Sequence, residues 1–147
     1  MKLLLIQGAN MEYLGFRQPE IYGTTTAAEL DRILREDAAA MGVEIEILYT
    51  NAEGEAISAI YRAVREGIDG LLMNPAGFLY AGYALRDCLR AVPLPYVEIH
   101  MSNIDARGME SVTAPEAVGM ITGLGVQSYR WALAAMKRYL EEARDGS

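Results

Sequence analysis

Basic residues are scarce in this chain. Its 13 Lys and Arg stand against 20 Asp and Glu, for a net charge of −7. That balance argues against a nucleic-acid or anionic-membrane surface, because both need a basic face. A small anionic substrate is still allowed, since a local arginine pocket can outweigh the global field. Cysteine occurs once, as Cys88, so no intrachain disulfide can form and a reducing cytoplasm is the expected compartment. No apolar run is long enough to span a bilayer, and no charged-then-apolar leader precedes Ile6. There is no metal-ligand spacing, no GxGxxG or other phosphate loop, and no Ser/Cys–His nucleophile arrangement. Hydrophobic residues, by contrast, make up 52% of the 147 positions and charged residues only 22%. Such a chain folds, and its length suits one domain around a sizeable core.

Apolar runs and turn residues alternate along the sequence. Lys2–Gln7 is a continuous apolar stretch ending at Gly8, as expected of a strand buried on both faces. The following loop, 8–25, is about 18 residues long, well beyond an ordinary βα loop, which suggests a functional lid. Thr26-Ala-Ala-Glu29 reads as a capping box opening a helix with Leu30, Ile33 and Leu34 on one face, ending near Gly42. Strands are expected at 43–49, 70–73 (stopped by Asn74-Pro75) and 95–99. Helices are expected at 55–66, 81–91 and from Pro115 to about Arg144, with Gly119, Gly123 and Gly125 on one side of the last. Residues 141–147 read as a fraying helix end. Strand–helix alternation of this kind means an α/β fold: a parallel sheet with right-handed crossovers and helices on both faces. In such sheets ligands bind outside the carboxyl ends of the strands.

The segments placed there hold the candidate chemistry. Arg17 precedes Tyr22 in a Gly/Pro-punctuated loop, and a fixed guanidinium favours the phenolate that a tyrosine base requires. His100, the only histidine, follows Glu98 by two residues, so both side chains leave the strand on one side. A carboxylate there fixes the imidazole tautomer and suits the ring to general-acid work. Asn10 and Asn74 follow the first and third strands and are suited to orienting a water or a substrate hydroxyl. Ser102, with Asn103 beside it, is placed to hold a carboxylate. Arg107 can supply charge. Asp87, four residues past Tyr83, is a candidate to face the cleft, while Arg86 reads as an exposed helical ion pair. Met11, Met101 and Met109 suggest an apolar-walled pocket.

Four ordered blocks resemble the type II 3-dehydroquinate dehydratases. They are Gln7-Gly-Ala-Asn10-Met-Glu-Tyr-Leu-Gly-Phe-Arg17-Gln-Pro-Glu-Ile-Tyr22-Gly, Thr50-Asn-Ala-Glu-Gly-Glu55, Asn74-Pro-Ala-Gly-Phe-Leu-Tyr80 with Ala84-Leu-Arg-Asp87, and Glu98-Ile-His100-Met-Ser-Asn-Ile-Asp-Ala-Arg107. The resemblance implies a flavodoxin-like fold, a homo-oligomer built from trimers up to a dodecamer, and a mechanism without a cofactor. It casts Tyr22, activated by Arg17, as the base that removes a proton beside a ketone. Asn10 holds a water on the enolate, His100 steered by Glu98 protonates the departing hydroxyl, and Ser102 with nearby backbone grips the substrate carboxylate. Asn74, Tyr80, Asp87, Met101 and Arg107 complete the implied substrate site.

The chain also departs from the family pattern. Tyr80 and Ala52 stand where the family has histidines, Ala9 replaces a proline, and Glu12 replaces an asparagine. The segment 108–111 is shortened, and no arginine occurs between Arg107 and Arg130. The missing His and Arg are groups that grip ring hydroxyls in the family. Three readings stay open at this point. The chain can be a lyase acting on dehydroquinate or a related small carboxylate, a relative recruited to hydrolysis or isomerisation of another cyclic carbonyl compound, or a non-catalytic binder.

Overall fold

The computed structural model describes residues 1–146. Five strands, β1 (Lys2–Ala9), β2 (Glu44–Tyr49), β3 (Gly70–Ala76), β4 (Tyr96–His100) and β5 (Gly119–Thr122), form one sheet in the order β2-β1-β3-β4-β5. Every recorded pairing is parallel, and this order is that of flavodoxin-like sheets. The continuous apolar run of β1 has the expected cause: Leu3, Leu4, Leu5 and Ile6 are all fully buried. Leu3 and Leu5 pack with Leu30 and Leu34 of α2 (Ala27–Ala40) and with Leu133 and Met136 of α5 (Val126–Asp145). Leu4 and Ile6 pack on the other face with Ile60 of α3 (Glu53–Arg65) and Leu85 of α4 (Tyr83–Ala91). Helices therefore cover both faces. The capping box forms as expected: the Glu29 N–H donates to Thr26 Oγ1 at 3.2 Å and the Thr26 N–H to Glu29 Oε2 at 3.4 Å.

Three expectations need correction. The segment 8–25, expected as one long loop, is partly regular: β1 runs on to Ala9, and a 3-10 turn (Met11–Tyr13) and the short helix α1 (Pro19–Tyr22) follow. Asn74-Pro75 does not stop β3, which runs on to Ala76. The Leu71 N–H points to β4, bonding the Pro95 carbonyl at 2.8 Å, so by alternation Pro75 also faces β4. Its missing N–H is tolerated because pairing with β4 ends at Met73. On the β1 side a Cβ on Gly8 would lie 2.1 Å from the Pro75 carbonyl oxygen, so only glycine allows this approach.

The third correction is larger. Residues 115–125 do not belong to the last helix: a 3-10 turn (Ala114–Glu116) leads into β5, which pairs Val97 with Gly119 and His100 with Thr122. Gly123 and Gly125 have φ of 93° and 61°, conformations that end the strand and redirect the chain before α5 begins. Of the three glycines expected on one side of the helix, Gly119 thus opens β5, and Gly123 and Gly125 are turn residues. α5 then continues through most of the expected fraying end to Asp145, while Ser147 lies outside the described residues. It turns Trp131 outward, 62% exposed, beside Met41 and Ile121. β5 forms one edge of the sheet, with Val118, Met120 and Leu124 exposed along it.

Candidate active site

A cleft of about 570 Å³, open mouth included, lies at the carboxyl ends of β1, β3 and β4. Asn10, Arg17 and Tyr22 reach it from the segment after β1, Asn74 and Tyr80 from β3 and its following turn, and His100, Met101, Ser102 and Arg107 from β4 and its loop. Met11, Leu14, Leu79, Ile104 and Met109 supply the apolar wall. Asn10, Gln18 and Ala76 hold positive φ (77°, 35° and 48°) without being glycine. Asn10 and Ala76 line the cleft and Gln18 lies between Arg17 and Tyr22. Backbone strain of this kind gathers at functional sites.

Tyr22 stands between two guanidinium groups. The Arg17 Cζ lies 4.8 Å from the ring centroid and the Arg107 Cζ 5.6 Å. The hydrogen bond to the phenol oxygen comes from Arg107 Nη1, at 3.0 Å, and the same nitrogen donates to Ser102 Oγ at 2.9 Å. The sequence expectation gave Tyr22 to Arg17 alone and Arg107 to substrate. In the structure Arg17 lies over the ring and Arg107 holds the oxygen, because the loop after β4 folds back over α1.

Across the cleft, His100 Nε2 meets Glu98 Oε2 at 2.7 Å. Glu98 is fully buried. Burial opposes its ionisation, but hydrogen bonds from His100, Thr113 and Tyr96, with the Ser111 hydroxyl close behind them, together outweigh that and hold the carboxyl below its ordinary range. With Nε2 committed to the carboxylate, Nδ1 is the ring nitrogen left to serve the cleft, where His100 forms part of the lining.

The remaining candidates divide. The Asn10 backbone N–H is held by Asn51 Oδ1 at 2.8 Å, while Asn51 Nδ2 donates to Glu12. Glu12 thus lines a neighbouring depression with Thr50 and Glu55, away from Tyr22. Both amide hydrogens of Asn74 are engaged, one with Tyr129 Oη at 2.8 Å and one with the Met11 sulfur at 3.5 Å, and its Oδ1 accepts from the Ala76 N–H. It therefore shapes the cleft more than it offers free valences to it. Tyr80 stands at the mouth, 67% exposed. Asp87 does not reach the cleft of its own chain. α4 buries Leu85, Cys88 and Leu89, which turns Asp87 to the outer side with Tyr83, Arg86 and Arg90. Arg86 forms an ion pair, but not within its helix: its partner, at 3.8 Å, is Glu116 of the 3-10 turn before β5.

A profile of the Dehydroquinase class II family matches residues 1–137. The chain belongs to this family. Among its relatives, the 3-dehydroquinate dehydratase of Alkalilimnicola ehrlichii is 45% identical, covering 93% of each chain. That of Carboxydothermus hydrogenoformans is also 45% identical, over 96% of this chain and 93% of its own. The crystal structure of type II dehydroquinase from Butyrivibrio crossotus superposes with a TM-score of 0.89 at 34% identity, covering 93% of this chain and 97% of that one. These relationships agree with the α/β, flavodoxin-like architecture.

Sequence reasoning missed the groups that stand behind the cleft residues. Tyr96 and Thr113 support Glu98, Asn51 anchors Asn10, and Tyr129, itself bonded to Gln7 Oε1 at 2.7 Å, holds Asn74. Only Tyr96 had a readable signal, since alternation along β4 puts it on the Glu98 face.

Proposed function

We propose that this chain is a hydro-lyase that converts 3-dehydroquinate by proton abstraction beside the ketone and loss of water. One observation carries the reading: a single cleft joins Tyr22, bracketed by Arg17 and Arg107, to His100, backed by an ionised Glu98. Tyr22 as phenolate takes the proton next to the carbonyl. The enolate oxygen is steadied through a water held by Asn10. The carbon–oxygen bond of the β-hydroxyl then breaks, and His100 delivers the proton that makes the leaving group water. Ser102 and the adjacent backbone hold the substrate carboxylate, with Arg107 joining Ser102 to Tyr22. These steps call for no cofactor. The naming of relatives at 45% identity as 3-dehydroquinate dehydratases supports the substrate.

The protein is further proposed to work in the cytoplasm as a trimer-based homo-oligomer, up to a dodecamer. Support comes from the open β5 edge and the exposed Val118, Leu124 and Trp131. A second reading, the same acid–base set acting on a less hydroxylated cyclic carboxylate, is favoured by Tyr80 at the mouth and by Arg17 and Arg107 as the only arginines of the lining.

Turnover of 3-dehydroquinate by purified protein, followed as enone absorbance, separates the two. Robust turnover is the expected result, and a well-folded but inactive protein would point to the retuned pocket. Arg107→Lys is expected to lower kcat/KM about 10- to 100-fold, the worth of one charge-assisted hydrogen bond. Both bonds come from Nη1, and a lysine ammonium, strongly hydrated and on a flexible stem, holds that nitrogen's place less firmly than the planar guanidinium does. Parental kinetics in this variant would remove Arg107 from the site.

A further inference from the structure

Glu98 Oε1 accepts two hydrogen bonds besides the one Oε2 makes to His100. Tyr96 Oη donates at 2.6 Å, and Thr113 Oγ1 donates as well. Thr113 is fully buried. Its single hydroxyl proton goes to Glu98, so its contact with Ser111 Oγ at 3.2 Å must run the other way, Ser111 donating. The hydroxyls form a directed chain, Ser111 to Thr113 to Glu98, that ends on the carboxylate behind the imidazole. Thr113 also closes the segment that brings Ser102, Ile104, Arg107 and Met109 to the cleft. Next to it, the Val112 N–H is bonded to the Leu79 carbonyl at 2.9 Å. The end of this loop is therefore pinned to the base of the acid.

We propose that Thr113, oriented by Ser111, is a positioning residue for His100: its hydroxyl fixes the Glu98 carboxylate with one oxygen turned to the imidazole. The proposal rests on the reading of His100 as general acid. The titratable groups facing Glu98 are Tyr96 and His100, both on β4. Its register neighbours, Met73 on β3 and Met120 on β5, carry no charge, and the loop contributes only the two hydroxyls. A carboxylate in such surroundings stays ionised through its donors, and a second-layer donor that sets the orientation of a histidine partner tunes the histidine itself.

His100 is the only histidine, so its ring signals can be followed by NMR without assignment. Protonation of Glu98, 2.7 Å away, adds an acid-side inflection to that titration. In Thr113→Val the inflection is expected about one pH unit higher than in the parent, as befits loss of one hydrogen bond to a charge. The acid limb of kcat should move with it while KM changes little. Thr113→Ser keeps the hydroxyl and is expected to restore the parental inflection. An unmoved inflection in Thr113→Val, with only a lower Tm, would overturn the proposal. Should Thr113→Val fail to fold, Ser111→Ala tests the same chain, with a smaller upward shift expected and an unmoved inflection again fatal. The NMR reading needs no substrate, so it stays legible even if the assigned reaction is wrong.

Discussion

Tyr22→Phe is expected to fold as the parent does and to lose about 10³-fold or more in kcat, within the range that a positioned base supplies. Phenylalanine keeps the ring beneath Arg17, and the cation–π contact at 4.8 Å survives. Only the oxygen that accepts from Arg107 disappears. Arg107 retains Ser102 as a partner, so no charge is stranded and stability should change little. The measurement is kcat by enone absorbance beside a thermal melt. Full activity in a folded variant would show that another group takes the proton.

The second large effect is expected at Glu98. Glu98→Gln keeps the shape but offers one acceptor oxygen to three donors: His100, Tyr96 and Thr113. If the amide nitrogen faces His100, Nε2 must accept and the tautomer reverses. If the oxygen faces His100, the two hydroxyls meet an N–H₂ group and at least one must turn away. Either way the imidazolium loses its counter-charge, and kcat should fall about 10²- to 10³-fold. An unsatisfied buried group adds roughly 1–3 kcal/mol of instability.

Acid should distinguish the two proteins further. The folded-state pKa of Glu98 is lowered, so its contribution to stability is complete above the unfolded value and is lost as pH falls through the folded one. The parent should thus lose stability across and below the ordinary carboxylate range. Glu98→Gln should be less stable at neutral pH and lose less on acidification. Chemical melts taken from neutral pH downward check this, and parallel curves would mean that the Glu98 carboxyl titrates alike in the folded and unfolded protein.

The parts of this molecule that were legible in the sequence are those that depend on local pattern. The apolar run of β1, the Thr26–Glu29 box and the period-2 spacing of Glu98 and His100 all specify structure within a few residues. The strand at Gly119–Thr122 was hidden because four residues, one of them glycine and with Gly123 and Gly125 just beyond, carry no periodicity of their own. β5 exists because β4 offers it a ladder. The same holds in the cleft. Tyr22 and His100 could be picked out by residue type, but Arg107 donating to the phenol spans 85 positions and Asn74 reaching Tyr129 spans 55. The spacing of Asp87 from Tyr83 shows which helix face the two share, not which face turns inward, and within one chain that face turns away from the cleft.

The chain has one tryptophan, and the fold puts it on the outside of α5. In a lone subunit Trp131 is already largely in water. Its intrinsic fluorescence will therefore report little on the folding of that subunit and will be nearly blind to events in the cleft. It will instead respond when something dry settles over Met41, Ile121 and the neighbouring turns of that helix, which makes the emission maximum a built-in gauge of subunit contact on this face.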